Sequence, residues 1–245
     1  TVSGGTMPGT LRTLNLIPTA DPYADAGQPY AATGNFTFVP AGQMATTTSA
    51  IINNNNVEDW IFVELRNASN PAIVVASKSG LLKSDGIIIN PDGTAFSFTG
   101  VAEGNYHIAI KHRNHLAIRT LSPQAVPTSG TYDFTTGTGQ AYTDGSITTN
   151  ANMRQVGSVY ALWGGDANLD GHVRYTDDIF IASDALKIYS DLGFDSQAQI
   201  NTYHASDVNL DGYVRYTDDI FVPSDALVIY EILGFNSSNQ LSKHF

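Results

Sequence analysis

The chain has 245 residues, no cysteine, 42% hydrophobic residues and a formal net charge of −11. That length holds one large or two ordinary domains with a real core. The missing thiols exclude disulfides and thiolate metal sites, no apolar run approaches the roughly 18 residues of a membrane span, and no basic patch exists to neutralise nucleic-acid phosphates. The charge is uneven: residues 1–164 carry 10 acidic and 8 basic groups, whereas residues 165–236 carry 13 and 3. The start at Thr1, without an initiator Met or a signal-peptide pattern, suggests a processed mature form or an excised fragment.

Thr10–Ile17 alternates, with Leu11, Leu14 and Leu16 apolar, and reads as a first strand. A Pro/Ala/Tyr-rich connection leads to Asn35–Val39, a second strand, and the polar run Thr46–Asn56 reads as a loop. Val57–Leu65 (VEDWIFVEL) is the clearest strand, rich in aromatic and β-branched residues. Ala72–Ser77 follows across the Asn67–Pro71 turn as its hairpin partner. Asp85-Gly86 and Asp92-Gly93 punctuate Ile87–Asn90. Ala95–Thr99, Gly104–Ile110, Leu116–Thr120, Thr131–Phe134 and Val159–Trp163 continue the series. Short strands at this spacing, with Gly/Pro/Asn turns, predict a mainly β domain over residues 1–164, an antiparallel β-sandwich of the Ig/Fn3-like kind.

Residues 165–245 read differently. DANLDGHVRYTD (Asp166–Asp177) recurs as DVNLDGYVRYTD (Asp207–Asp218), and Gly165–Asp195 matches Ser206–Asn236 at 22 of 31 positions. Each copy puts side-chain oxygens at loop positions 1, 3 and 5, a glycine at 6 and a carboxylate at 12. That is the spacing a hard cation such as calcium needs, with a backbone carbonyl at position 7 (His172, Tyr213) as a further ligand. The expected ligands are thus Asp166, Asn168, Asp170, His172 and Asp177, then Asp207, Asn209, Asp211, Tyr213 and Asp218, holding two Ca²⁺. Without cations these carboxylates repel one another, so metal binding and folding are expected to be coupled.

Pro223 cannot lie inside a helix begun at Asp218, because an interior proline costs about 3 kcal/mol. The helix instead starts after Ser224 as N-cap and ends at Gly234, with Ser183 and Gly193 framing the first copy. Each repeat is therefore a cation loop, a short extended link and a capped helix. Leu186, Ile188, Tyr189 and Leu192, with Leu227, Ile229, Tyr230 and Leu233, supply apolar surface for the helices to pack as a pair. Asp184 and Asp225 either turn back toward the metal or favour the helix N-terminus electrostatically, and capping preference favours the second.

These residues resemble a dockerin-type calcium repeat pair. The resemblance implies one Ca²⁺ per loop and helices that dock a cohesin partner. The chain departs from that pattern in its 41-residue period and in the six-residue link before each helix. VEDWIFVELRNAS, GVAEGNYHIAIKHRNHLAI, YDFTTG and the GGDANLDGHVRYT block with its second copy are also similar to a region near the C-termini of secreted, haemagglutinin-labelled surface proteins of gliding and related bacteria. That likeness implies a secreted, non-catalytic module at the bacterial cell surface.

No nucleophile elbow, phosphate loop or dinucleotide fingerprint is present, so no enzyme is expected. Glu58, Asp59 and Glu64 mimic a glycosidase acid pair, but as alternate residues of one strand they are expected to face solvent. His107, His112 and His115 lack a Cys or a His-Glu-x-x-His companion and read as surface or structural residues, with HRNH a turn. Trp60 and Trp163, inside apolar runs, read as core. The function expected is a calcium-binding structural subunit that self-assembles outside the cell. Residues 1–18 would be its exchanged or edge strand. The alternative is an adhesive, partner-binding module.

Overall fold

Val57–Asn67 forms the central strand, β1, and every residue from Val57 to Leu65 is buried. A strand buried on both faces needs neighbours on both sides and cover above and below, and β1 has all four. In this computed structural model, which describes residues 7, 9–24, 30, 34–127, 130–178, 181–219 and 222–245, β1 pairs antiparallel with β2 (Val74–Lys83) and β4 (Gly104–His112). The short β3 (Ile88–Ile89) extends the sheet beside β2. On the other side β5 (His115–Arg119) and β6 (Gln124–Val126) share the two halves of β4. The Asn67–Pro71 hairpin and the turns at Gly86 and Gly93 lie where the sequence placed them.

One face of the sheet, with Trp60, Phe62 and Leu81, packs on Leu11, Ile17, Tyr23, Phe36, Phe38 and Ile52. Tyr23 donates its hydroxyl to Trp60 O (3.1 Å), and Trp60 Nε1 donates to Pro18 O (2.8 Å), so the cover is pinned as well as packed. The other face, with Ile61, Val63, Ile110 and Ile118, packs on Ala141 and Met153. The protein is thus mainly β and antiparallel. Among the described residues, however, every other sheet has two strands, including the hairpin of β7 (Arg154–Val156) and β8 (Val159–Ala161). Irregular segments anchored by aromatic rings cover the large sheet in place of the second large sheet of the expected sandwich.

Several expected strands take other forms. Thr10–Thr13 is a helical turn, α1, with Leu11 and Ile17 in the protein's own core; the expected exchange of residues 1–18 otherwise falls on residues 1–6 and 8, outside the described residues. Asn35–Val39 alternates in burial but is held mostly through side chains: Ser77 Oγ accepts from Val39 N (2.7 Å) and donates to Thr37 O (2.8 Å), and Lys111 Nζ donates to Asn35 O (2.6 Å). Within the expected loop 46–56, Ser49–Asn54 forms α2, capped by Thr48 Oγ1 accepting from Ile51 N. Ala95–Thr99 keeps a single bridge to the sheet, and Thr131–Phe134 runs into a 3-10 turn.

The duplicated region is a closed pair. Its helices are α3 (Asp184–Asp191) and α4 (Asp225–Ile232), and its strands are β9 (His172–Arg174), β10 (Gln199–Asn201), β11 (Tyr213–Arg215) and β12 (Gln240–Ser242). Ser183 Oγ and Ser224 Oγ each accept from the third residue on, Leu186 N and Leu227 N, at 3.1 Å, and Gly193 and Gly234 follow the helices at φ of 68° and 70°. β10 pairs with β11, and β12 with β9, so each repeat's tail pairs with the other repeat's loop. Tyr189 meets Tyr216, and Tyr230 meets Tyr175, with the same reciprocity. Ile188, Leu192, Ile229 and Leu233 pack together with Leu116 of β5, while Ala205 joins the core under Trp60. Apolar clusters therefore cross the boundary expected at residues 164/165. No helix among the described residues is long and apolar enough to cross a membrane.

Candidate metal centre

Each cation loop is built by side chains that accept from the loop's own backbone. Asp166 Oδ2 accepts from Gly171 N (3.2 Å), Asn168 Oδ1 from Asp170 N (3.0 Å) and Asp170 Oδ1 from His172 N (2.8 Å). In the second loop Asp207 Oδ2 accepts from Gly212 N (3.0 Å), Asn209 Oδ1 from Asp211 N (2.8 Å) and Asp211 Oδ1 from Tyr213 N (2.9 Å). The bend falls on Gly171 and Gly212, at φ of 83° and 86°. Both are also tightly covered: an added Cβ would lie 2.7 Å from Lys243 Cε and 2.6 Å from Leu14 Cδ1, respectively.

Positions 1, 3, 5 and 7 are thus tied into one hydrogen-bonded loop in both copies, at Asp166, Asn168, Asp170 and His172 and at Asp207, Asn209, Asp211 and Tyr213. Position 12 does not join them. Asp177 and Asp218 are exposed, and each accepts from the N–H of the helix N-cap, Ser183 N (2.8 Å) and Ser224 N (2.9 Å). The link expected to be extended instead bridges back on itself, with backbone pairs Asp178–Ile181 and Asp219–Val222; residues 179–180 and 220–221 lie outside the described residues.

This reversal brings in the residue that sequence reasoning gave to the helix N-terminus. Asp184 has no exposed surface; its Oδ1 accepts from Asn168 N (3.2 Å) and its Oδ2 from Arg174 N (2.8 Å). Asp225 does the same with Val208 N (2.8 Å) and Arg215 N (2.8 Å). The first helical residue of each repeat therefore points back into its loop. The signal available in sequence was the N-cap frame itself, which puts a carboxylate at the first helical position of both copies.

The electrostatics follow from crowding acids out of water. Burial, reinforced by Asp184 and Asp170, pushes Asp166 well above the usual carboxylate range. Burial raises Asp184 and Asp207 to about 7 each, and burial with Asp207 nearby pushes Asp225 well up. One atom stands out: Asp166 Oδ1 is buried with no hydrogen-bond partner. Such an acceptor costs about 1–3 kcal/mol unless something electrophilic meets it. Arg174 and Arg215 each hold the outer oxygen of position 5, Asp170 Oδ2 and Asp211 Oδ2, at 2.6 Å, which leaves Oδ1 turned inward. A set of carboxylate, amide and carbonyl oxygens with no sulfur or imidazole nitrogen fits a hard cation.

The loops are fastened to the large sheet by Asn114, at the tip of the β4–β5 turn and fully buried. Its carbonyl accepts from Gly165 N (2.9 Å) and Asp166 N (3.2 Å), while its Nδ2 donates to Ala205 O (3.0 Å) and Asp207 O (2.7 Å). One residue thus grips the first position of both loops. HRNH is a turn, as read; His112 is buried with Nε2 3.0 Å from Asp59 Oδ2, and His107 lies apart, with Nδ1 against Thr120 O.

The three strand acids are buried, contrary to expectation, and all are ion-paired: Glu58 with Arg12 (3.0 Å), Asp59 with Arg113 (2.9 Å), and Glu64 with Arg66 and Lys111 (2.6 Å each). Burial opposes charge on Asp59, but Arg113 and His112 outweigh it and hold its carboxyl below the usual range. Trp60 is core and Trp163 is half-buried, its Nε1 bonded to Ala151 O. No protein-family model, curated protein or solved structure matches this chain.

Proposed function

We propose that this chain is a non-enzymatic, secreted, calcium-binding structural protein in which two Ca²⁺ stiffen the junction between the sheet and the repeat pair. The observation that carries the reading is the unpartnered, buried Asp166 Oδ1 beside Asp184, with Asp207 and Asp225 in the equivalent places. The ligand sets are Asp166, Asn168, Asp170, the His172 carbonyl and Asp184, then Asp207, Asn209, Asp211, the Tyr213 carbonyl and Asp225. Self-assembly into a filament or surface layer at a bacterial cell surface is the cellular role this implies, on the dockerin-like and surface-protein resemblances.

A partner-binding module is the second reading. Phe194 and Phe235 favour it: they occupy equivalent places after the two helices, are 62% and 61% exposed, and sit at φ of 61° and 57°. Light scattering and electron microscopy of the chain, in calcium and then in chelator, decide between them. Ordered assemblies that dissolve or soften on chelation support the structural subunit. A monomer in both conditions sinks it and leaves the binding module, and failure to bind calcium at all sinks both.

A further inference from the structure

The β4–β5 turn gathers a second set of donor atoms, separate from the loop carboxylates. Asn114 Nδ2 is committed to Ala205 O and Asp207 O, which turns Oδ1 toward two imidazoles. Three contacts close a triangle: Oδ1 to His112 Nδ1 at 3.0 Å, Oδ1 to His115 Nδ1 at 2.8 Å, and Nδ1 to Nδ1 at 2.9 Å. An amide oxygen only accepts, and each Nδ1 either donates or accepts. With both nitrogens protonated, they face each other as donors. With one protonated, the bare nitrogen faces the oxygen lone pair to lone pair. With neither, all three edges repel. No protonation state places a hydrogen on all three edges without setting two hydrogens against each other, but a cation bound to all three atoms meets every one.

We propose that His112 Nδ1, His115 Nδ1 and Asn114 Oδ1 form one face of a binding site for a first-row divalent transition ion held by right-angled ligands, for which Zn²⁺ serves as the probe. Ligands held at right angles about 2.0–2.1 Å from such an ion lie about 2.9 Å from one another, the edge length of this triangle, whereas tetrahedral ligands lie about 3.4 Å apart. The outer shell is also in place. His112 Nε2 lies 3.0 Å from Asp59 Oδ2, the carboxylate contact that orients a ligating imidazole and leaves its other nitrogen bare. Asp59 is itself held by Arg113 and by the Tyr203 hydroxyl at 2.6 Å. A cavity of about 30 Å³, bordered by His112, His115 and Asp166, adjoins the pair and has room for about one water ligand. Imidazole donors select against calcium, so the site does not duplicate the loops.

The test is calorimetric titration of the full chain with Zn²⁺ in excess Ca²⁺, comparing native protein with His115→Ala and, as a control, His204→Ala. The expected result is one Zn²⁺ per native chain, at least about tenfold weaker in His115→Ala and unchanged in His204→Ala. No saturable uptake, or equal uptake in His115→Ala, overturns the site. Imidazole ¹⁵N spectra of the native chain give a readout that needs no substitution. One equivalent of Zn²⁺ must shift Nδ1 of His112 and His115 together, and shifts confined to other histidines overturn the proposal. None of the loop carboxylates is a ligand here, so the result stands whether or not calcium fills the loops.

Discussion

Calcium affinity should fall steeply on mild acidification, and the structure sets the size of the fall. Asp184 and Asp207, one in each loop, are raised to about 7 by burial. Calcium binds the ionised form. Its share drops from about three-quarters at pH 7.5 to about 3% at pH 5.5, so each loop should bind about 25-fold more weakly, a change of about 2 kcal/mol. Asp166 and Asp225 are pushed in the same direction and steepen the fall. Chelator-competition titrations at pH 5.5, 6.5 and 7.5 measure it. Calorimetry near pH 6.5, in two buffers of different ionisation enthalpy, should report roughly one proton released per calcium bound. An affinity that changes less than about threefold over this interval, with no proton release, refutes the assignment of these acids as buried ligands.

The same shift has a sign for stability. A carboxyl whose folded pKa lies above its unfolded 3.8 adds stability that is complete below about pH 3.8 and is lost as the pH rises through about 7. In chelator, the native chain should therefore lose about 2.5 kcal/mol between pH 5 and pH 7.5 relative to Asp184→Asn, a comparison in which the contributions of the histidines cancel. An equal pH dependence of the two chains in urea unfolding removes the argument.

Three further substitutions probe the arrangement. Asp184→Asn should weaken calcium binding at the first loop by about tenfold or more, whereas Asp177→Ala should leave it within about threefold and cost about 1 kcal/mol through the lost Ser183 N contact; calcium titration yielding the reverse order would restore position 12 as the ligand. Asn114→Ala removes the donor to Ala205 O and Asp207 O and should cost about 2 kcal/mol or more in urea unfolding while weakening calcium at the second loop, the first being held by the backbone carbonyl that alanine keeps; a loss under about 0.5 kcal/mol would mean the second loop is not held through this side chain. Phe194→Gly relieves a left-handed backbone worth about 1–2 kcal/mol and gives up one edge contact to Tyr189, so Tm should hardly move; a loss above about 2 kcal/mol would make the exposed ring structural.

What could be read from the chain, and what could not, divides on the range of the forces involved. β1 was legible because nine consecutive buried positions leave a mark in composition alone, and the helix starts because Pro223 and Ser224 act within one turn. The strand acids were not legible. Alternation assigns a face, but the partners of Glu58 and Asp59 lie 46 and 54 residues away, so only the fold shows that both faces are covered and the charges paired. Thr10–Ile17 failed for a local reason, since Leu11 and Leu14 suit a helical turn as well as a strand. The instructive case is Asp184. The duplication repeats Asp177 and Asp184 equally, so identity between copies could not choose between them, and counting twelve along the loop chose Asp177. That count assumes the backbone keeps its course to position 12. Here it turns back at Asp178–Ile181, and the chain returns to the loop only where Ser183 caps the helix. A helix start fixes where its first side chains point more firmly than a loop fixes its last. The N-cap frame, not the loop count, therefore identifies the carboxylate that is buried against the loop, and Asp225, one residue after the cap that Pro223 enforces, follows the same rule.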